Sequence, residues 1–365
     1  MTSLNTLKSL IALFGVGGAL LSFHASAGTV TKADNTTSLD QGASWVSGTP
    51  PTAADVAVWD STVTAANTVD LGVSTNWAGI QILNPGGAVN ITNVNTTLLL
   101  GASGVDTSGG SQNLTLSCPI ALATNDANQL WNLGSTVTIA GGISGTNILE
   151  KTGSGTLNLS TATGPATIQN DSGIVSINSS SGSITNILNG GTININTAAS
   201  NPINVTSTGG IEQNVGGNRT WSGQLSGSGP LTVVASSTHT WSGNNTNFTG
   251  TITLQGTGSL RLSSVNAVGP ATAYNFNGGN MTANATGIFN LGSLGGFGTL
   301  NGGSGQNYSI GALNASSDFS GTISGGTMLI KTGTGALSLS GANTYTGSTV
   351  ISNGVLQIGD GGSVG

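Results

Sequence analysis

Residues 143–160 (ISGTNILEKTGSGTLNLS) and residues 323–340 (ISGGTMLIKTGTGALSLS) align without a gap and share 11 of 18 positions. A segment this short cannot enclose a core by itself. It gains stability only when each copy covers the apolar face of the one before, so the duplication points to a stacked repeat architecture. The copied segment also shows its local geometry. A glycine-rich turn (KTGSG, KTGTG) leads into a stretch where leucine alternates with small polar residues (LNLS, LSLS). That alternation is the period-two pattern of a half-buried strand.

The same alternation recurs at residues 113–116, 136–139, 156–159, 174–177, 192–195, 252–254, 260–262, 336–339 and 355–358. Many of these are separated by 18–23 residues, usually with a glycine pair or an Asn-Gly turn between them. No useful window carries a 3.6-residue period. Many short strands at regular spacing fit a sandwich, a barrel or a solenoid, and composition favours the solenoid. Only 5% of the 365 residues are charged, against about 25% in ordinary soluble domains. Stacked turns place like residues above like at about 4.8 Å. Asn and Thr columns then hydrogen-bond along the stack, whereas columns of like charge repel. Disorder fits poorly, because 36% of residues are hydrophobic and fall at regular places. The expected fold is all-β: a right-handed parallel β-helix (β-solenoid) of about 12–15 rungs with an N-terminal cap.

Residues 1–27 read as a secretory signal peptide. A short segment with Lys8 precedes the apolar run LIALFGVGGALL, and Ala25-Ser26-Ala27 predicts cleavage after Ala27. The run is too short to span a bilayer as an anchor, and no later stretch is a transmembrane span. Residues 28–75 concentrate Trp45, Trp59, a Pro50-Pro51 pair and five carboxylates (Asp34, Asp40, Asp55, Asp60, Asp70). This reads as a cap whose tryptophans cover the first rung; a binding role for the cluster is the other reading. Residues 76–365 form the repeat region, with clear repeats at 141–160 and 320–358 and a degenerate one at 220–262. Beyond the leader the basic residues are Lys32, Lys151, Arg219, Arg261 and Lys331, set against twelve acids. With no basic patch, nucleic acid and anionic membranes are poor partners. Cys118, the single cysteine, offers no intramolecular disulfide and reads as a core thiol.

Residues 331–356 read KTGTGALSLSGANTYTGSTVISNGVL. This resembles the autotransporter-associated β-strand repeat, also called the passenger-associated transport repeat. Its pattern is L-x-K-T-G-x-G-x-L-x-L-S-G, then N-T-Y-T-G-x-T, then a G-x-L strand. The turn residues that carry the likeness are Lys331, Thr332, Gly333 and Gly335, with Lys151, Thr152, Gly153 and Gly155 in the earlier copy. Tyr345, Gly347 and Gly354 mark the second half, and Phe248 stands for Tyr345 in a degenerate version at residues 241–262. The resemblance implies an exported passenger with a β-helical stalk, secreted or displayed at the surface of a Gram-negative bacterium, with export machinery as a partner. Unlike large members of that family, this sequence shows no C-terminal translocator barrel or sorting tail. The expectation is therefore a fragment or a separate export route.

Signals for chemistry are weak. Lys151-Thr152-Gly153 and Lys331-Thr332-Gly333 spell the K-T-G of serine β-lactamases, but no S-x-x-K accompanies them. Those lysines are expected to point to solvent. The G-x-S-x-G at residues 361–365 lacks a strand-turn-helix context, and no phosphate loop occurs. His239 stands alone as a metal ligand, and no sequence neighbour supplies the carboxylate a triad needs. Glycine-rich residues 295–305 lack the aspartates of calcium-binding repeats. Asp106, Asp126, Glu150, Asp171, Glu212, Asp318 and Asp360 are scattered, and Glu212 with Arg219, beside Trp221, is the opposite pair worth naming as a candidate. No catalytic, cofactor or metal residue is assigned.

The sequence thus predicts an exported, non-catalytic β-helical passenger, structural or adhesive at the cell surface or in the extracellular matrix, with surface glycans or other cells as candidate partners. A carbohydrate-active β-helix enzyme or a polysaccharide-binding protein is the alternative. An outer-membrane β-barrel lacks its aromatic girdles.

Overall fold

A computed structural model describes residues 27–124, 128–161, 164, 166–179 and 184–359. Every pairing between named strands is parallel, and strands pair with others one turn away rather than with their sequence neighbours. The chain winds as a right-handed parallel β-helix of about 14 turns. At about 4.8 Å per turn the rod is roughly 67 Å long.

All the alternating segments read from the sequence fall in one long sheet. Their inward residues stack in register: Val89, Leu114, Val137, Leu157, Val175 and Ile193 form one column. Ile91, Leu116, Ile139, Leu159, Ile177 and Ile195 form the next. These side chains are buried. On the outer side, amides and hydroxyls bond from turn to turn. Asn196 Nδ2 donates to Asn178 Oδ1 at 2.9 Å and Gln213 Nε2 to Asn194 Oδ1 at 2.7 Å, and Asn178 donates to Asn158. The near absence of charge has its cause here, since each outer column repeats its chemistry at every turn.

A second sheet faces the first across the core, through Ile148–Thr152, Ala166–Asn170, Ile184–Leu188 and Ile203–Val205. Further along, Gly287–Leu291, Gln306–Ile310, Leu329–Lys331 and Thr349–Ile351 form a separate four-stranded sheet. At the other end, Gly28–Thr31 pairs with Asp55–Trp59, and residue 45 folds back to bridge Lys32 in antiparallel fashion. Trp45 meets Trp59 and Trp77 edge-on, each at 5.8 Å between ring centroids. Two of these indole nitrogens are satisfied: Trp45 donates to the Leu39 carbonyl at 2.8 Å and Trp59 to Asn67 Oδ1 at 3.0 Å.

Candidate functional site: the interlocking repeat unit

The alternation of Ile148–Thr152 turns Leu149 and Lys151 inward. Lys151 has no exposed surface, and its ammonium donates to the carbonyls of Ser172 (2.7 Å), Gly153 (3.0 Å) and Thr152 (3.4 Å). Lys331 repeats the arrangement on Thr332 (2.6 Å), Gly333 (3.0 Å) and Asn353 (3.3 Å). The expectation that these lysines face solvent is overturned. The strand period places them inside, the apolar stem lies along the core, and the turn carbonyls take the three ammonium protons. Ser172 and Asn353 belong to the next turn, so each lysine ties two turns together.

The glycines follow from this geometry. Gly153 and Gly333 have φ of +76° and +67°, which glycine alone adopts freely. Gly155 and Gly335 sit where a Cβ would collide with the Ser135 and Ala315 carbonyls of the preceding turn. Gly354 makes room for the ammonium: a Cβ there would lie 2.8 Å from Lys331 Nζ, and Gly173 holds the same place at Lys151. Sequence reasoning missed Ser172 and Gly173. The signal was present, since DSGIVSI after the first K-T-G corresponds to SNGVLQI after the second. The earlier unit therefore runs on to Ile177.

The second half of the unit obeys a similar rule. Thr249 and Thr346, each following its aromatic residue, donate their backbone N–H at 2.9 Å to Gly227 and Gly325 on the preceding turn. Ser320, after Phe319, does the same to Gly296, adding a copy the sequence reading did not pick out. The three acceptor glycines all have positive φ, +102°, +87° and +81°. Asn245 and Asn343 accept the Leu225 and Ile323 N–H groups, both at 2.9 Å. Phe248 is fully buried, whereas Tyr345 is half-buried with its hydroxyl 2.8 Å from Thr349 Oγ1. Gly347 lies against the Thr327 carbonyl.

Histidine 239 requires a second correction. Glu212, 27 residues upstream, brings Oε1 to 2.9 Å from His239 Nε2, with both side chains buried. The carboxylate absent from the local sequence is supplied by the neighbouring turn. Arg219, paired with Glu212 in the sequence reading, instead donates to the carbonyls of Gly216 and Asn218 at 3.1 Å. The other described acids of the repeat region engage polar neighbours: Asp106 accepts from Ser108, Glu150 from Asn128, Asp171 from Asn189 and Asp318 from Ser340. Among the described residues no group of three or more His, Cys, Asp or Glu is placed to hold a metal ion. No described helix is long and apolar enough to cross a membrane. The leader through residue 26, Asp126 and Asp360 lie outside the described residues; Ala27 is the first described residue.

Burial pulls the Lys151 and Lys32 ammonium groups down to about 8 from 10.5. It pushes the Cys118 thiol up to about 12 from 9.0 and raises the Tyr274 and Tyr308 phenols. Between pH 8 and 10.5 the unfolded chain holds lysine protons that the folded chain has released, so this contribution makes stability rise with pH. From about pH 9 the unfolded thiol, and then the phenols, ionise while the folded ones do not; this opposes the lysine contribution and outweighs it near pH 10. The thermal midpoint is expected to climb from about pH 8 to a maximum near pH 10 and then decline, as followed by circular dichroism across a buffer series. A steady fall from pH 7 would contradict the buried lysines.

Residues 329–358 match the passenger-associated-transport-repeat family. Comparison with curated proteins and with solved structures gives no match. The matched stretch is the unit just described, holding Lys331, Gly333, Gly335, Tyr345, Gly347 and Gly354. The chain is a β-helical protein whose residues 329–358 are similar to the passenger-associated transport repeat.

Proposed function

We propose that this chain is an exported, non-catalytic passenger, working as a structural or adhesive rod at the surface or in the matrix of a Gram-negative bacterium. The observation that carries the reading is the repeat unit itself. Its motif residues hold one turn to the next, and its one charged group, Lys331, is buried in that task. The described acids of the repeat region are bound to neighbouring polar groups or buried, which suits a scaffold better than general acid–base work. A chain with few charges can pass a membrane unfolded and then stack outside with no energy input beyond burial and hydrogen bonding.

Expression with its own leader in a Gram-negative host, followed by fractionation, tests the assignment. The protein is expected outside the cell or on its surface, degraded by added protease only after heating, and released without detergent. Retention in the cytoplasm, or a need for detergent, would reject it.

One observation favours a polysaccharide-binding version of the adhesive role. Thr115, Thr138, Asn158, Asn194 and Gln213 lie in one uncharged, half-buried outward column, with the buried Ser176 in register between Asn158 and Asn194. Such a column matches a neutral glycan better than an acidic one. Pull-down on insoluble neutral glycans is expected to retain the protein, and Thr138→Glu with Asn194→Asp to abolish retention. No retention of the parent protein would leave the plain scaffold reading.

A further inference from the structure

The turns of this rod are nearly interchangeable. The inward column Val89, Leu114, Val137, Leu157, Val175, Ile193, Glu212, Val233, Leu254 and Phe276 contains one ionisable residue among apolar ones. A neighbouring inward column runs His239, Leu260, Met281, Leu300 and Ile323. Apolar columns of this kind discriminate weakly. A turn looped out of the stack leaves Leu over Val or Ile, and closing a loop of about twenty extra residues adds little entropic cost.

We propose that the Glu212–His239 pair is a register key that admits one stacking of the turns between Ile203–Val205 and Ser259–Leu262. Glu212 lies on Gly210–Asn214 and His239 on Thr238–Trp241, one turn further along. They meet at 2.9 Å with no solvent contact. The pair is walled by Ile193 and Val233 in register with Glu212, and by Leu260 in register with His239. Trp241 sits edge-on to the imidazole at 6.2 Å, itself 5.4 Å from Trp221. The other register neighbour of His239 is Arg219, whose guanidinium is engaged by backbone carbonyls.

In any slipped stacking Glu212 faces Leu, Met or Ile where His239 should be. A buried carboxylate without a partner is strongly disfavoured, whereas the correct stacking sets the imidazole 2.9 Å from it. The device selects rather than strengthens. A leucine pair in its place would bury as well in every register.

The test uses the full chain refolded from denaturant and read by hydrogen exchange with mass spectrometry, beside limited proteolysis. The parent protein is expected to give a single protected population. Glu212→Leu/His239→Leu is expected to keep or raise the thermal midpoint yet split the exchange pattern, with about a tenfold rise in the mis-stacked fraction for each 1.4 kcal/mol of discrimination removed. Each single leucine variant should lower the midpoint, with strong non-additivity between them. Glu212→Leu/His239→Leu supplemented by the conservative comparison His239→Gln, which keeps a polar group beside Glu212, separates selection from bulk: His239→Gln alone should retain one population. A double leucine variant that refolds to the parent's single pattern at the parent's yield overturns the proposal. So does one that fails to fold at all, because the pair would then be needed for stability itself.

Discussion

Replacing Lys151 with alanine is expected to destabilise the middle of the rod by about 3 kcal/mol, the scale of charged hydrogen bonds lost together with their buried acceptors. The part-buried carbonyls of Thr152, Gly153 and Ser172 would lose the donor they share beneath the covering turn. The four-carbon stem would leave a void between Leu149 and the neighbouring turn. Lys151→Met refills the void and leaves the carbonyls unpaired, so it should recover part of the loss and not all. Lys331→Ala should cost less. Its covering turn, Val355–Ile358, is largely exposed among the described residues, and water can reach the freed carbonyls. Because contacts in a solenoid run mainly between adjacent turns, the damage should stay local. Amide exchange is expected to accelerate in Ile148–Thr152 and Ile174–Ile177 and to stay slow in Thr75–Ile82. Equal losses at the two lysines, or uniform acceleration along the chain, would show that the ammonium does not tie turns together.

The fold was legible where one sheet repeats a clean alternation. TLNL, IVSI and TINI put apolar side chains inward at every second place, and the strands of that sheet that carry this alternation are legible, whereas Leu231–Ala235, Thr238–Trp241, Ala273–Ala283 and Ser293–Asn301 are not. The opposing sheet was not read, because it breaks the pattern from which strands are recognised. In Ile184–Leu188 the inward middle residue is Asn186 while Ile187 faces out. In Ile148–Thr152 the inward position belongs to a lysine. Even within the legible sheet, Gly210–Asn214 turns Glu212 in and leaves Ile211 exposed. In each case a tertiary partner, a carbonyl cluster or a histidine on the next turn, overrides the polarity of the side chain. Sequence distance hides such partners, since contact in this fold comes about twenty residues later. The same blindness explains why the K-T-G lysines were assigned to solvent and His239 was judged to lack a carboxylate. The glycine spacing was visible from the start, but its reason, room for an ammonium and for the preceding turn's carbonyls, needed coordinates.

Trp45→Ala is expected to be the most damaging single truncation near the first turn, at about 4 kcal/mol. Trp45 is almost fully buried, touches both Trp59 and Trp77 edge-on, and anchors the folded-back segment through its bond to Leu39. Removing it takes away the segment's largest apolar contact and leaves the Leu39 carbonyl without its donor. Phenylalanine at this position should restore most of the packing but not that bond, and recover more than half of the loss. The consequence should differ in kind from that of Lys151→Ala. A gap inside the rod leaves paired turns on both sides, whereas lifting the folded-back segment frees the edge it bridges at Thr31 and Lys32 and bares the apolar surface of Trp59 and Trp77 beneath it. Unpaired parallel edges recruit other strands. Trp45→Ala is therefore expected to show concentration-dependent light scattering at temperatures where the parent protein stays dispersed, with exchange fastest in Gly28–Thr31 and Asp55–Trp59 and unchanged beyond Val89–Thr92. A variant that loses stability yet stays monomeric at high concentration would mean that the tryptophan packs the first turn without shielding its edge.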